Sequence, residues 1–317
     1  MSVSTARRGG GRIFGFIPML LLYLWMECHK TTYRGVVRNL SDCACLGLTS
    51  RDGRPRRPSY ATLNAFVNHE LAPMATAIGD ELAAAILKSK DVSSLTLDST
   101  PLQASRYNVD AAFNPHYRIR MDKAHILMAD GHPLYMAHSG GAAADGPFAS
   151  ELLGRLPGAR PAPGSWEFHA DGSYDAFLTY ARVYRATGAV MRCRQGSDAR
   201  LRGVDEERIR SRYGRMWRLD GYDPHRKGDL DFMLRFLCRH GEELLVGRHL
   251  RDRSMLLNES DRDEKNLRQV CETVHQAMKR WMDFSVFRLV KRTKEARIRC
   301  RFLGLQLLSL LFKGYRA

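Results

Sequence analysis

The chain contains no C-x-x-C pair, no apolar run long enough to cross a bilayer, and far fewer acidic than basic residues. Its seven cysteines, Cys28, Cys43, Cys45, Cys193, Cys238, Cys271 and Cys300, are odd in number and scattered. That distribution argues against a disulfide framework and against a zinc site. Cys43 and Cys45 are the one close pair, and a single intervening residue is poor spacing for two ligands of one metal. A reducing cytoplasm suits this cysteine usage. Ile13 to Met26 is apolar and follows Arg7, Arg8 and Arg12, in the manner of a signal peptide. It is too short to span a bilayer and runs into Glu27-Cys28-His29 with no small-residue cleavage site. It reads as a buried helix, and no membrane partner is expected. Several enzyme fingerprints are missing as well: G-x-S-x-G, G-x-x-x-x-G-K-[ST], H-E-x-x-H and the dinucleotide-binding glycine motif.

What remains is a core-forming and strongly basic chain. Of its 317 residues, 44% are hydrophobic, enough for one large domain or two modest ones. Lys and Arg number 50 against 34 Asp and Glu, a net charge of +16. Such an excess suits a polyanionic partner, because each base that meets a phosphate releases a condensed counterion. A merely basic protein carries the same signal, so charge alone does not assign DNA.

The pattern along the chain divides near residue 90. Residues 1 to about 12 are rich in Arg, Gly and Ser and are expected to fray. The apolar helix is followed by Val36, Val37 and Leu40 at helical spacing, a basic turn from Arg51 to Arg57, and a third helix from Ser59 carrying Leu63, Phe66 and Val67. Three short helices around a basic turn suit a helix-turn-helix, and a generic bundle looks the same. A helix over about Met74 to Leu87 ends this region. Strands are then expected at Ser94–Asp98 and Glu167–Asp171, each ending in an acid, and at Ala189–Cys193. A hairpin from His125 to His138 turns at Asp130-Gly131. Helices are expected at Phe148–Leu156, Ser173–Ala186, Leu230–Arg239 and Glu264–Trp281, with a short strand at Leu244–Val246 and an apolar C-terminal run from Phe302 to Phe312. Residues 194–228 read as an insertion. The fold class is α/β, a mixed sheet flanked by helices.

The helix at 264–281 carries the chemistry. Leu267, Val270, Val274, Met278 and Trp281 form a core stripe, whereas Arg268, Glu272, His275 and Lys279 fall within roughly 60° of one another on a polar stripe. By itself such a stripe is a solvated face. Asp98 and Asp171, however, stand at strand ends, where an open α/β sheet presents its site. Three converging carboxylates repel one another unless they hold divalent cations. Two Mg2+ or Mn2+ ions suit the hard oxygen ligands and the cleavage of a phosphodiester.

At this point the sequence resembles the bacterial insertion-sequence transposases of the DDE class, whose C-terminal signature is Y-x-x-R-x-x-x-E-x6-K. Arg268, Glu272 and Lys279 match three of its four positions at the family spacing, and Lys265 stands where the family has Tyr. Leu95-Thr-Leu-Asp98-Ser-Thr100 resembles the context of the first family Asp, and Ala170-Asp171-Gly-Ser-Tyr174-Asp175 that of the second. The stretch Lys123 to His138 and the N-terminal Tyr33-Arg34 and Pro58 to Leu63 also resemble the family pattern.

The resemblance implies an RNase H-like catalytic core at 90–317 preceded by an all-helical DNA-binding region at 1–89. Asp98 would lie on the first strand, Asp171 at the end of the fourth, and Glu272 on a late helix, together holding two Mg2+ or Mn2+ ions. Arg268 and Lys279 would grip DNA phosphates. The implied partners are transposon terminal inverted repeats and target DNA, bound by a homodimer at the bacterial nucleoid. The basic stretch Arg288 to Arg301, with Arg288, Lys291, Arg292, Lys294, Arg297 and Arg299, reads as a DNA-facing surface. Trp217 is a candidate to stack on an extruded base, weighed against a local core anchor. Asp110, Asp122, Asp130, Asp145 and Asp175 are read as turns, caps and solvated surface. Two rival readings stay open: a non-catalytic or decayed DNA-binding protein, and a metal-dependent DNA nuclease without strand transfer.

Overall fold

Alternation along the central strands leaves apolar side chains on both faces of the sheet, so helices must cover each side. The computed structural model describes residues 14–41, 45–49, 52–89, 92–103, 111–156, 166–193, 227–260 and 291–311. Arg268, Glu272, Lys279 and Arg288 lie outside the described residues, as do Asp110, Trp217 and residues 194–226. Lys291 and Arg292 lie in a described helix, but their side chains are outside the description.

The N-terminal helices are α1 (Phe16–Cys28), α2 (Tyr33–Asn39), α3 (Tyr60–Phe66) and α4 (Ala72–Ser89). Thr32 and Ser59 cap α2 and α3, their hydroxyl oxygens accepting from the amides of Gly35 and Thr62 at 3.0 Å. The sequence suggests two separate helices around residue 70, yet α3 and α4 are joined by a π-helical turn, Val67–Leu71. Pro73 has no N–H to donate, and the widened turn before it lets the helix continue past that gap. Helix α1 is buried as expected through Met19, Leu22, Tyr23 and Met26. Among the described residues, no helix is long and apolar enough to cross a membrane.

The sheet has six strands: β1 (Ser94–Gln103), β2 (Ala112–Asn114), β3 (Ile119–Ala129), β4 (His132–Gly140), β5 (Glu167–Ala170) and β6 (Met191–Cys193). β1, β3 and β4 are antiparallel neighbours, and β2 shares the β4 side of β3. On the other side of β1, β5 runs parallel to it, and β6 runs parallel to β5. The β3–β4 hairpin turns at Asp130 and Gly131, with φ of 44° and 80°, the positive pair that a type I′ turn requires. The Asp130 carboxylate also accepts from the amides of Ser93 and Ser94, which ties the turn to the start of β1.

Helices α5 (Gly146–Gly154), α6 (Phe177–Thr187), α7 (Lys227–Arg239) and α8 (Glu243–Ser260) share one core with Leu95, Leu97, Leu127 and Phe168 of the sheet. The strand expected at Leu244–Val246 is instead the first turn of α8. Leu244 is 60% exposed while Val246 and Leu250 are buried, a helical spacing that three adjacent apolar residues cannot reveal. The opposite face, with Ala124, Ile126 and Met128, packs on the N-terminal helices and on α9 (Lys291–Leu311). Residues on both sides of position 90 therefore contribute to one apolar cluster.

Helix α9 also corrects the reading of the C-terminal basic stretch. Lys294 is buried and its Nζ lies 2.7 Å from Asp122 Oδ2, on the sheet. Arg301 is buried against Glu27 of α1, Nε to Oε2 at 2.9 Å. A basic residue every few positions thus includes side chains turned into the core to meet buried acids, and Lys294 does not face DNA. Burial opposes ionisation of Asp122, but the nearby His138 ring, 3.8 Å away, and the hydrogen bond from Lys294 outweigh it and hold the carboxyl below the usual range. Breaking a buried pair from one side leaves an uncompensated charge. Lys294→Ala should cost about 3 kcal/mol or more in urea denaturation, and the double variant Lys294→Ala/Asp122→Asn should recover part of that loss. A loss below about 0.5 kcal/mol in the single variant would show that the pair is solvated.

Candidate functional site

Parallel pairing of β1 with β5 ends at Leu97 opposite Ala170. Asp98 and Asp171 are the next residue on each chain, on neighbouring strands that are about 4.8 Å apart. Asp98 does not end its strand: β1 continues to Gln103 against β3, with Asp98 opposite Ile126. Instead β5 ends beside it, and that departure opens the space at Asp98. Asp98 is half-buried and Asp171 is exposed. Asp98 Oδ1 accepts from the Ser99 amide at 2.7 Å. Cys193 at the end of β6 donates its thiol to the Asp171 carbonyl at 3.1 Å, fixing the chain where it leaves the sheet.

A polar cluster that the sequence reading did not single out lies just behind these acids. Asp145, before α5, is buried and 2.9 Å from Lys123 Nζ. His125 is fully buried: its Nε2 is 2.8 Å from Ser139 Oγ, its Nδ1 is 3.2 Å from the Tyr174 hydroxyl, and its ring stacks on Phe148 at 4.3 Å. Burial, aided by Lys123 and His138, pushes the His125 pKa down to about 4 despite Asp145. Burial first, then the charges of Asp145, Asp98 and Asp171, push the Tyr174 hydroxyl well above its usual range, against a hydrogen bond with Ser99. Tyr174 is thus a neutral phenol whose hydroxyl lies in the field of three carboxylates. The available signal was Lys123-x-His125, two polar residues on one face of an otherwise apolar strand.

The next loop is fastened from α8. Arg251 makes a two-pronged bond to Asp175, with both N–O distances 2.8 Å, and Tyr180 donates to the same carboxylate at 3.1 Å. Gly247 lets α8 approach the Phe177 carbonyl so closely that any side chain there would collide with it. Asp145 and Asp175, expected as caps or surface, are therefore ion-paired positioning residues, and Asp130 is the turn residue it was read to be.

Of the expected site residues, the structure brings Asp98 and Asp171 together, and Glu272, Arg268 and Lys279 are outside the described residues. The flanks of the segment that contains them are informative. Ser254 of α8 accepts from the Cys193 amide at the C-terminal end of β6, at 3.3 Å. Lys294 of α9 holds Asp122, which pairs with Leu102 near the C-terminal end of β1. Both flanks thus lie at the end of the sheet that carries Asp98 and Asp171.

The buried, neutral His125 links stability to pH. Its folded pKa lies below the ordinary 6.5, so the unfolded chain takes up the proton first, and stability falls as pH drops from about 6.5 to about 4. His249 adds to the same trend, its pKa lowered to about 4, chiefly by burial. In urea denaturation, His125→Asn should be less stable than wild type at pH 7 but lose less stability between pH 6.5 and pH 4.5. Equal losses in the two proteins would contradict a neutral His125.

Comparison with known proteins returned no matching family model, no matching curated protein and no matching solved structure.

Proposed function

We propose that the chain is a DDE-type DNA transposase, which cleaves transposon ends and joins them to target DNA, with Asp98, Asp171 and Glu272 as its carboxylates. The observation that carries this reading is the register of β1 and β5, which sets two acids side by side where the parallel pairing stops. Setting aside the short β2, Asp98 lies on the first strand and Asp171 at the end of the fourth, the placement expected of an RNase H-like core. Ser254 and Lys294, on the two described helices that precede and follow the segment holding Glu272, lie at the same end of the sheet as the pair.

Asp98 and Asp171 offer hard oxygen donors, and among the described residues no three His, Cys, Asp or Glu side chains are grouped to hold a metal. In this reading Glu272 completes the set. Two Mg2+ or Mn2+ ions held by Asp98, Asp171 and Glu272 would activate the attacking oxygen and stabilise the leaving oxygen. The protein's own part is positional. Arg251 fixes Asp175 and with it the turn after Asp171, while Cys193 holds the Asp171 backbone. Arg268 and Lys279 bind phosphates near the carboxylates, Arg288, Lys291 and Arg292 extend the basic surface, and two protomers act on paired DNA ends. The site of action is the bacterial nucleoid.

Glu272→Gln, Asp98→Asn and Asp171→Asn should each abolish cleavage of a transposon-end duplex in Mg2+ while folding and DNA binding persist. Asn at position 98 keeps the acceptor for the Ser99 amide, so the loss would reflect charge and not local structure. A double variant should be scarcely worse than either single one, because the three act as a unit. Cleavage by Glu272→Gln at near the wild-type rate would end the assignment of that residue.

Binding to duplex DNA should weaken steeply between about 50 and 200 mM salt as phosphate contacts are lost. A fluorescence-anisotropy titration reads this directly, and an affinity indifferent to salt would contradict a phosphate-binding surface.

A further inference from the structure

Between Asp98 and the hairpin at Asp130, the chain makes a second, smaller hairpin from β2 and the start of β3. Its exposed residues combine aromatic and basic side chains, Phe113, His116, Tyr117, Arg118 and Arg120, with Pro115. Phe113 is 54% exposed and Tyr117 49%, while His116 packs edge-on against Tyr117 with ring centroids 4.9 Å apart. Large aromatic side chains held in water forgo the burial that ordinarily stabilises them, and grouped exposure of this kind marks a contact surface.

The hairpin is built to hold those rings out. Asn114 is buried, its Oδ1 accepts from the amides of His116 and Tyr117 at 2.9 and 3.1 Å, and its Nδ2 donates to the Gly141 carbonyl at 2.6 Å. Gly141 in turn donates to the Met121 carbonyl at 2.9 Å, and a side chain at Gly141 would collide with Met121. The tip is thus bolted to the sheet through one asparagine, Arg120 also donates to the Ala111 carbonyl at 3.1 Å, and the Phe113 and Tyr117 rings stay about half exposed. Cross-strand pairing sets Phe113 opposite Arg120, which puts an aromatic ring and a guanidinium on one face of the hairpin.

Its position follows from the register. Asp98 pairs with Ile126 and β3 begins at Ile119, so the tip begins about 23 Å beyond Asp98 along the strand direction. That is the length of about seven base pairs of duplex. The hairpin projects from the same end of the sheet as the two acids.

We propose that this hairpin is a second DNA-contacting element: Tyr117 and Phe113 stack on bases that are unpaired or distorted about seven base pairs from the cleavage site, and Arg118 and Arg120 hold the flanking phosphates. The inference rests on the DNA-processing reading above and adds a site to it. Rings supply sequence-tolerant stacking, and guanidinium groups supply salt-sensitive phosphate contacts. The net charge of +16 favours this polyanion over an acidic-poor protein surface.

The test uses the full chain and a fluorescein-labelled duplex that carries an unpaired tract, with the fully paired duplex as reference. Phe113→Ala/Tyr117→Ala should weaken binding to the unpaired probe by about fivefold or more, with an unchanged salt slope. Arg118→Gln should lower the salt slope by about one and affect both probes alike. If the double variant fails to fold, Tyr117→Ala alone, at an exposed position, keeps the aromatic arm open. Wild-type affinities and slopes in all these variants, with salt-dependent DNA binding intact in the parent, would overturn the hairpin's role and leave the transposase reading standing. Loss of self-association with unaltered DNA binding would overturn it in favour of a protein contact. A parent chain that binds neither probe would remove both readings.

Discussion

The parallel pairing of β5 with β1 is the constraint on which the candidate site depends. It lasts only as far as Leu97 and Ala170, and a strand that stops early turns its neighbour's next residue from a ladder position into a site position. Asp98 keeps its hydrogen-bonded partner strand on one side, so its backbone stays rigid, while the side vacated by β5 gives access. A rigid backbone beside an opening is what a metal-binding carboxylate requires, since ligand geometry has to be set before the cation arrives.

The elements around this point hold the two strand ends in place. A fork from Arg251 to Asp175, a thiol donated by Cys193 and the stack of His125 on Phe148 come from helices and strands on one face of the sheet. Two buried groups, the His125 imidazole and the Tyr174 phenol, surround the ion pair of Lys123 with Asp145. The first two add no further charge to a region crowded with carboxylates, and the ion pair between the others is neutral as a unit.

Much of this architecture was legible in the sequence, and the misses share a cause. Alternating strands, the Asp-Gly hairpin and the capped helices are local, so Asp130-Gly131, Ser59 and the strand end before Asp171 could be placed from neighbours alone, whereas the run of β1 past Asp98 could not. The partners of Lys294, Arg301, Asp145 and Asp175 are distant in the chain. From the sequence these looked like surface charge, because one-dimensional pattern cannot show a basic side chain turned inward to meet a buried acid. The stretch Leu244–Val246 failed for a different reason: three apolar residues fit one turn of helix as well as a strand. Glu272 remains a proposal drawn from the polar stripe together with the family resemblance, and it lies outside the described residues.

The pair between Glu27 and Arg301 joins residues 274 positions apart. During synthesis, which proceeds from the N-terminus, helix α1 leaves the ribosome with its acid unmatched and its apolar surface, Met19 to Met26, covered at first only by the short helices α2 and α3 that follow it. Nothing earlier in the chain supplies the α9 surface against which that helix packs. A core closed by its first and last described helices cannot be completed domain by domain as translation proceeds, and such long-range closure slows folding. The nascent chain must therefore carry Glu27 unmatched, and the α1 surface only partly covered, until α9 has been made, so the window for chaperone engagement, and for aggregation, stays open while all the residues between the two helices are synthesised.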